Sequence, residues 1–507
     1  MNNLIKKDLE YRMISRRSNN KEKTMNSMLI HSALALLASA FMVACSGPTE
    51  KVERFVYDEK GYPDQNTVEN LFEELDYQRA VQAYLWGIAP MTTAGQHKMA
   101  EYYGADGNFD FLSIYQDAGN KGQLTPNTIV KYLFSFINLK ETGPAVFDWP
   151  GGFQVGIILD YDHRYIVDFG LASPAGPNPE KLLLLGPDHE VPEDTEGYRV
   201  VKIDTYVPII GWRVLRPTVD TDIETKVALY PLAERENPKP NKIITIDKDA
   251  EIYYMAHPKG MAYWEQLNEY IQREPVKEVD RYFMAFLEPL GIKKGEPFEP
   301  SPEQIKILEK AAFTGEKMAI ATSFATRNKN AVYRDDSEWV HPFMLNPSHK
   351  TEFTEQIDER VDWLFEAYGV SPAMRTTRVG IGSIYLSSYR DNNKNWFDGG
   401  KSYKMKVAPD APMKDFWAVT IYDLDTRALI PNETGRSEIS SRTEGLAVNE
   451  DGSIDLYFGP TAPEGYENNW VQTVPDEYWF TYFRLYAPTE AYFDRSWPMY
   501  DIELVKQ

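Results

Sequence analysis

Two long stretches of this sequence, residues 123–232 and 380–507, break into short apolar or alternating runs cut by turn signals, and few folds other than packed β-sheets accept that texture. In the first stretch, Tyr132-Leu133-Phe134-Ser135-Phe136, Gly156-Ile157-Ile158-Leu159, Leu182-Leu183-Leu184-Leu185 and Val207-Pro208-Ile209-Ile210 are divided by Gly143-Pro144, Pro150-Gly151-Gly152, Gly176-Pro177 and Gly186-Pro187. In the second, residues 403–407, 416–422 and 479–486 read as strands. Asp451-Gly452 is predicted to turn a hairpin between Leu446-Ala447-Val448 and residues 454–458. An antiparallel, jelly-roll-like sandwich is expected there.

Helical periodicity fills much of the remainder. Leu71, Leu75, Ala80, Val81, Tyr84 and Leu85 recur at helical spacing over residues 68–87, and Pro90 is predicted to end that helix. Residues 261–273 and 301–322 read as amphipathic helices, the second opened by Ser301-Pro302-Glu303, a capping residue followed by proline in the first turn. This middle part is expected to link the two β-domains or pack across them. The chain is therefore expected to be α+β and β-rich. Its parts are a lipoprotein signal peptide (1–44), a flexible tether (45–66), an N-terminal β-rich domain (67–235), a mainly helical connecting region (236–379) and a C-terminal sandwich (380–507). About 460 residues after position 44 exceed what one core usually supports.

The first 45 residues have the order of an export signal. Basic residues outnumber acidic ones between Lys6 and Lys23, an apolar run follows over residues 28–44, and it stops at Ala44 before Cys45, the single cysteine of the chain. Met42-Val43-Ala44-Cys45-Ser46 resembles a lipobox, in which the thiol takes a diacylglycerol; an uncleaved anchor is the alternative, and Met25 or Met28 could be the true start. A lone cysteine excludes internal disulfides, so stability must come from packing. Loss of the leader would take the formal charge from −22 to about −26, which argues against nucleic acid or anionic lipid as partners. An acyl chain on Cys45 would then hold a repelled, acidic body to the bilayer. The expected location is the cell envelope, and Ser46 favours the outer membrane over the inner.

The C-terminal motifs go further. Residues 416–423, Asn432, Gly435-Arg436-Ser437, Asp451-Gly452-Ser453, Gly459-Pro460, Asn468-Asn469-Trp470 and residues 483–488 together resemble the domain of unknown function numbered 1214. Upstream, Leu124-Thr125-Pro126-Asn127, Asp160, Arg164, Asp168-Phe169-Gly170, residues 181–184, Val191-Pro192, Gly197-Tyr198 and Thr205-Tyr206 resemble its usual companion, number 1254. The resemblance implies an α+β N-terminal portion followed by a jelly-roll-like sandwich, and brings no general activity with it. Where that pattern places Asp and Thr, this chain has Ile129 and Val130, with Tyr132 kept.

Several polar groups could carry chemistry. Asp160, Asp162 and His163, with Asp168 close by, could bind a divalent metal or share acid and base roles, provided that the segment turns. A solvated turn held by Asp–Arg164 pairing is the simpler account. Asn127, Arg164, Arg436, Asn469 and Trp470 are candidate ligand contacts. For Arg436 the competing account is a pairing with Glu438 or Asp425, for Asn469 a pinned turn, and for Trp470 a cap on the sandwich. His189, beside Asp188 and Glu190, falls at a surface turn. No Gly-rich phosphate loop, Gly-x-Ser-x-Gly elbow or His-Glu-x-x-His motif occurs, so no nucleotide cofactor is expected.

Tyrosine and tryptophan are abundant, at 32 and 11 residues, and sandwich cores account for most of them. Three functions compete. The first is binding of a small molecule or oligomer, a glycan among the candidates, in an aromatic cleft between the two domains. The second is a carboxylate- or metal-dependent hydrolase or lyase. The third is a structural envelope protein acting through protein partners.

Overall fold

A computed structural model describes residues 55–114, 122–128, 130–215, 225–247, 249–374 and 378–505. Cys45, the signal segment, the first half of the expected tether and Ile129 lie outside the described residues. The chain divides into two compact units, residues 1–67 and 68–507. In the first, Asp58 Oδ1 accepts from the amides of Lys60 and Tyr62, both at 2.9 Å, and closes a turn bridged by Tyr57 and Pro63. Asp64 then accepts from the Thr67 amide at 2.7 Å, where helix α1 (Gln65–Tyr102) begins.

Helix α1 does not stop at Pro90, as its sequence predicts; the proline lies in its interior. A proline there removes one donor and orphans the carbonyl four residues earlier. That carbonyl, of Trp86, accepts from Arg360 Nη2 at 3.0 Å, so a side chain from far along the sequence replaces the missing bond.

Ten strands follow in the second unit: β1 (Phe111–Ile114), β2 (Lys131–Phe136), β3 (Ala145–Trp149), β4 (Gln154–Leu159), β5 (Tyr165–Gly170), β6 (Glu180–Leu185), β7 (Arg199–Lys202), β8 (Ile209–Val214), β9 (Ala228–Pro231) and β10 (Ile243–Thr245). They form a six-stranded sheet, β10-β1-β2-β8-β4-β5, and a four-stranded sheet, β7-β6-β3-β9. Period-two alternation assigns the faces of the larger sheet. Leu133, Ile158, Ile210, Trp212 and Val214 pack into the core shared with the smaller sheet, whereas Tyr132, Phe134, Leu159 and Ile209 face the other way.

Trp149, Phe147, Phe169 and Trp212 cluster in the core between the two sheets, with ring centroids 4.8–6.3 Å apart. Opposite Phe169 in the β4–β5 pair stands Gly156, where a Cβ would lie 2.1 Å from the ring. Gly156→Ala is expected to destabilise the protein by about 1–3 kcal/mol through overpacking, measured by urea denaturation.

The middle region supplies helices α2 (Met261–Arg273), α3 (Pro302–Phe324) and α4 (Ile357–Glu366). Helix α3 opens with a reciprocal cap: the Gln304 amide donates to Ser301 Oγ at 3.2 Å, and the Ser301 amide donates to Gln304 Oε1 at 2.8 Å. No helix among the described residues is long and apolar enough to cross a membrane.

Eight strands close the fold: β11 (Ser383–Ser388), β12 (Tyr403–Val407), β13 (Trp417–Asp423), β14 (Glu438–Ser440), β15 (Ile454–Gly459), β16 (Trp470–Gln472), β17 (Trp479–Tyr486) and β18 (Glu503–Leu504). They pair as β11-β17-β13-β14 and β16-β15-β12-β18 and sandwich a core that includes Trp417, Val419, Phe483 and Leu485. All of these pairs are antiparallel except β15–β16. Alternation on β13 and β17 turns Tyr422, Phe480 and Tyr482 into the central core, beside the helices and the free face of the six-stranded sheet. The hairpin expected around Asp451-Gly452 is absent, because residues 446–448 form no strand. The Gly452 amide bonds to the Asn449 carbonyl at 2.9 Å in a local turn, and β15 pairs with β12 and β16 instead.

Candidate functional site

The free face of the six-stranded sheet does not pack flush. A cavity of about 680 Å³ lies between it, helix α1, the loop after α4 and the edge of the C-terminal sandwich. Strand alternation builds its wall: Tyr132 and Phe134 from β2, Ile157 and Leu159 from β4, and Ile209 and Arg213 from β8. The wall is chiefly aliphatic and aromatic, with a few polar groups set into it.

At one end sit Gln96 and His163. Gln96 is 2% exposed, and neither its amide nitrogen nor its oxygen has a hydrogen-bond partner; His163 is fully buried, with Nε2 equally unpartnered. His163 Nδ1 and Thr93 Oγ1 are 2.6 Å apart, and burial lowers the imidazole to about 3, so the ring is neutral. Buried polar atoms without partners are uncommon, and two residues carrying them at one end of a cavity mark a place where a ligand or water completes the bonding.

The turn that presents His163 is tightly held. Asp160 Oδ1 accepts from the amides of Asp162 at 2.9 Å and Arg164 at 2.8 Å, and His163 takes a φ of 62°. Behind the turn, Asp162 receives Arg164 Nη1 at 3.0 Å, Tyr270 Oη at 2.6 Å and Lys277 Nζ, while Lys277 also reaches Asp160 at 3.3 Å. The expected Asp–Arg pairing is present. Solvation is not: Asp160, Asp162 and His163 are at most 2% exposed, because Lys277 and Tyr270 cover them. With cations on both carboxylates and the imidazole turned away from them, the three do not converge on a metal. Among the described residues, no group of three His, Cys, Asp or Glu side chains is arranged to hold one.

Asp168, on the cavity side of β5, is pushed up to about 6 by burial, against hydrogen bonds from Ser371 and Tyr165. Its neighbour across the β4–β5 pair is Ile157, midway along the wall.

At the other end Arg213 lies over the Tyr132 ring, 5.5 Å from its centroid, and hydrogen-bonds the Tyr385 hydroxyl. Asn127 joins the two sandwiches here: its amide nitrogen donates to Tyr132 Oη at 3.3 Å, and its side chain donates to Tyr486 Oη. Near the mouth, Arg442 lies over Phe416 at 3.8 Å and pairs with Asp415 at 2.5 Å.

Of the residues singled out in the sequence, Asn127, His163 and Asp168 line the cavity, and Asp160, Asp162 and Arg164 brace it from behind. Arg436, Asn469 and Trp470 lie outside it and serve the C-terminal sandwich. Arg436 donates to the carbonyls of Glu467 and Trp470 rather than pairing with Glu438 or Asp425. Fully buried Asn469 bonds to Ala447 and Asp455, and Trp470 Nε1 donates to the Gly459 carbonyl at 2.8 Å. His189 Nδ1 accepts from the Gly186 amide at 3.1 Å and stays within its own turn. Gln96, Arg213 and Tyr368 escaped the sequence reading, and Tyr486 entered it only within the strand and motif at residues 479–488, without a role at a site. Among the three, a signal existed for Arg213, a cation sharing a face with Ile209 and Gly211 on an apolar strand.

Residues 108–231 match the family described as Protein of unknown function (DUF1254), and residues 382–490 match Protein of unknown function (DUF1214). The chain carries the DUF1254–DUF1214 pair. Both members build the cavity wall: β2, β4 and β8 fall within DUF1254, and Ser383, Phe416, Arg442 and Tyr486 within DUF1214. The DUF1254–DUF1214 chain is similar to the crystal structure of the VPA0106 protein from Vibrio parahaemolyticus. The TM-score is 0.51 at 17% identity, covering 85% of this chain and 100% of that one, a likeness of fold alone. An uncharacterized protein from Burkholderia cenocepacia aligns over 87% of this chain and 97% of its own at a TM-score of 0.38 and 11% identity. No curated protein matches the sequence.

Proposed function

We propose that this is a lipid-anchored protein of the cell envelope that binds a small, largely apolar organic molecule in the cavity between its two sandwiches. The anchoring rests on the lipobox-like run ending at Cys45, with the outer membrane favoured by Ser46. The binding rests on one observation: an apolar cavity of about 680 Å³ whose inner end exposes the unpartnered polar atoms of Gln96 and His163. Walls dominated by Phe134, Ile157, Leu159 and Ile209 favour an apolar body over a glycan, whose many hydroxyls would demand more polar partners.

Burying an eight-carbon chain at about 0.8 kcal/mol per methylene gives roughly 6 kcal/mol before the entropy of binding is subtracted, so affinity of roughly millimolar order is expected for simple probes. Trp212 borders the cavity on β8 with its ring in the core behind the wall, and its fluorescence reports occupancy. Titration of the full-length protein with alkyl, aryl, organic-acid and glycan panels should give saturable changes with the apolar compounds, abolished in Ile157→Trp, which fills the cavity. Silence across every panel would end the reading.

Catalysis is the second reading, and its support is Asp168, a carboxyl pushed up to about 6 in the same wall as neutral His163. Mass spectrometry of the recovered ligand separates the two: unchanged compound supports binding, and a converted one supports a hydrolase or lyase.

A further inference from the structure

We infer that the molecule taken by this cavity is an organic anion whose acidic head pairs with Arg213 and whose apolar body lies along β8 and β4 towards His163. The inference rests on reading the cavity as a binding site.

The argument begins with charge. Arg213 projects from the cavity face of β8, and among the described residues no carboxylate forms an ion pair with it; it meets the Tyr132 ring and the Tyr385 hydroxyl. Several other sheltered guanidinium groups of the fold have acids at hand, and Arg360 and Arg427 donate to backbone carbonyls instead. Arg164 lies between Asp162 and Asp280 at 3.0 and 3.8 Å, and Arg199 meets Glu180 at 3.2 Å. Fully buried Arg484 bonds to Thr420 Oγ1 at 2.8 Å and the Thr125 carbonyl at 3.2 Å, with Glu438 within electrostatic reach. A guanidinium removed from bulk water without a counter-ion is costly, and a bidentate acid is the partner that its geometry fits.

No carboxylate of the wall pairs with that charge. Asp415 is already paired with Arg442, His163 is neutral, and Asp168, raised only to about 6 and so ionised at pH 7.5, stands midway along the wall across from Ile157. Tyr385 registers the excess: burial would push its hydroxyl up, but Arg213 and Arg484 together bring it below its ordinary value.

Strand register sets the length of the ligand. Arg213 is aligned with Tyr132 and Val155, while Ile209, four residues back on β8, is aligned with Phe136 and with Leu159, the residue before the Asp160 turn. At about 3.3 Å per residue the span is about 13 Å, room for a medium-length acyl or arylalkyl chain. At its far end the chain meets Gln96 and His163, where a hydroxyl or carbonyl on the ligand would be bonded and a bare methyl would leave space for water.

The test uses the full-length protein and three probes of one length: octanoate, octanol and octylamine, at pH 7.5, followed by Trp fluorescence and calorimetry. Octanoate should bind about tenfold or more tightly than either of the others. Arg213→Gln should bring octanoate down to the level of octanol, and Arg213→Lys should keep part of the preference, with thermal melts confirming that each variant folds. Equal binding of octanoate and octanol by the native protein, or an undiminished preference in Arg213→Gln, overturns the inference and leaves the binding site standing. Failure of all three probes overturns the binding reading with it. The probe series on the native protein decides the question even if neither variant folds.

Discussion

Replacing Lys277 by methionine is expected to destabilise the protein by about 3–5 kcal/mol, because a single ammonium faces three buried carboxylates. Asp160, Asp162 and Asp280 are each at most 4% exposed. Lys277 Nζ touches Asp162 and stands 3.3 Å from Asp160 and 3.9 Å from Asp280. Arg164 covers Asp162 and Asp280 at 3.0 and 3.8 Å, and Arg360 acts on Asp280 at longer range. The remaining contacts are neutral donors: Tyr270 Oη to Asp162 at 2.6 Å, Trp86 Nε1 to Asp280 at 3.0 Å, and the amides of Asp162 and Arg164 to Asp160 at 2.9 and 2.8 Å. Methionine matches the stem of lysine in length and apolarity, so the loss isolates the charge rather than the packing. Equilibrium urea unfolding at pH 7 measures it, with Lys277→Arg expected to lose much less. A loss below about 1 kcal/mol would place the pair among ordinary surface ion pairs and contradict the burial described above.

The same cluster shows what a linear sequence conceals. The turn over Asp160–Arg164 was legible, since a strand would have split Asp160 and Asp162 from His163. Its burial was not, because Lys277 is 117 residues further on and nothing local announces it. Pro90 misled for a related reason: the local rule is sound, but Arg360 reaches back to the stranded carbonyl of Trp86. Secondary structure set by local patterns fared better. The apolar runs within β2 and β4, the first residues of β8 and the cap at Ser301 read directly from residue order, as did the pairing of the two families from motifs spread through both domains.

The cavity lay between these extremes. Its wall residues are strand positions that alternation puts on one face, yet a face turned to solvent and a face turned to a second domain look alike in sequence. Asn127 and Tyr486, joined across the site, are 359 positions apart. Gln96 belonged to a helix turn that Pro90 appeared to forbid. Of the polar candidates, those beside turn signals were easiest to notice, and turns are also where Asn469 and Arg436 find purely structural work.

Between pH 5 and 8.5 the native protein should lose about 3–5 kcal/mol of stability relative to Glu366→Gln. Glu366 ends helix α4 and is fully buried against the face of β17 that carries Tyr482. Burial raises its carboxyl from the ordinary 4.5 to about 8, although hydrogen bonds from Tyr482, Tyr389 and Ser323 and the charge of Arg427 pull the other way. The Tyr389 hydroxyl lies 2.8 and 2.9 Å from the two carboxyl oxygens, and that of Tyr482 lies 2.8 Å from one of them. Because the folded value exceeds the unfolded one, the folded state holds the proton more tightly. The resulting stabilisation is complete below about pH 4.5 and is lost as the pH climbs through 8. Glutamine keeps the shape and has no proton to lose, so its unfolding free energy should change less over the same range. Taking the difference between the two proteins cancels the titration of acids remote from the site and leaves the coupling to buried Asp362, whose carboxyl the Glu366 charge pushes up. Parallel curves would mean that water reaches the Glu366 carboxyl and keeps it ionised at neutral pH, and the packing of α4 against β17 would then be looser than described.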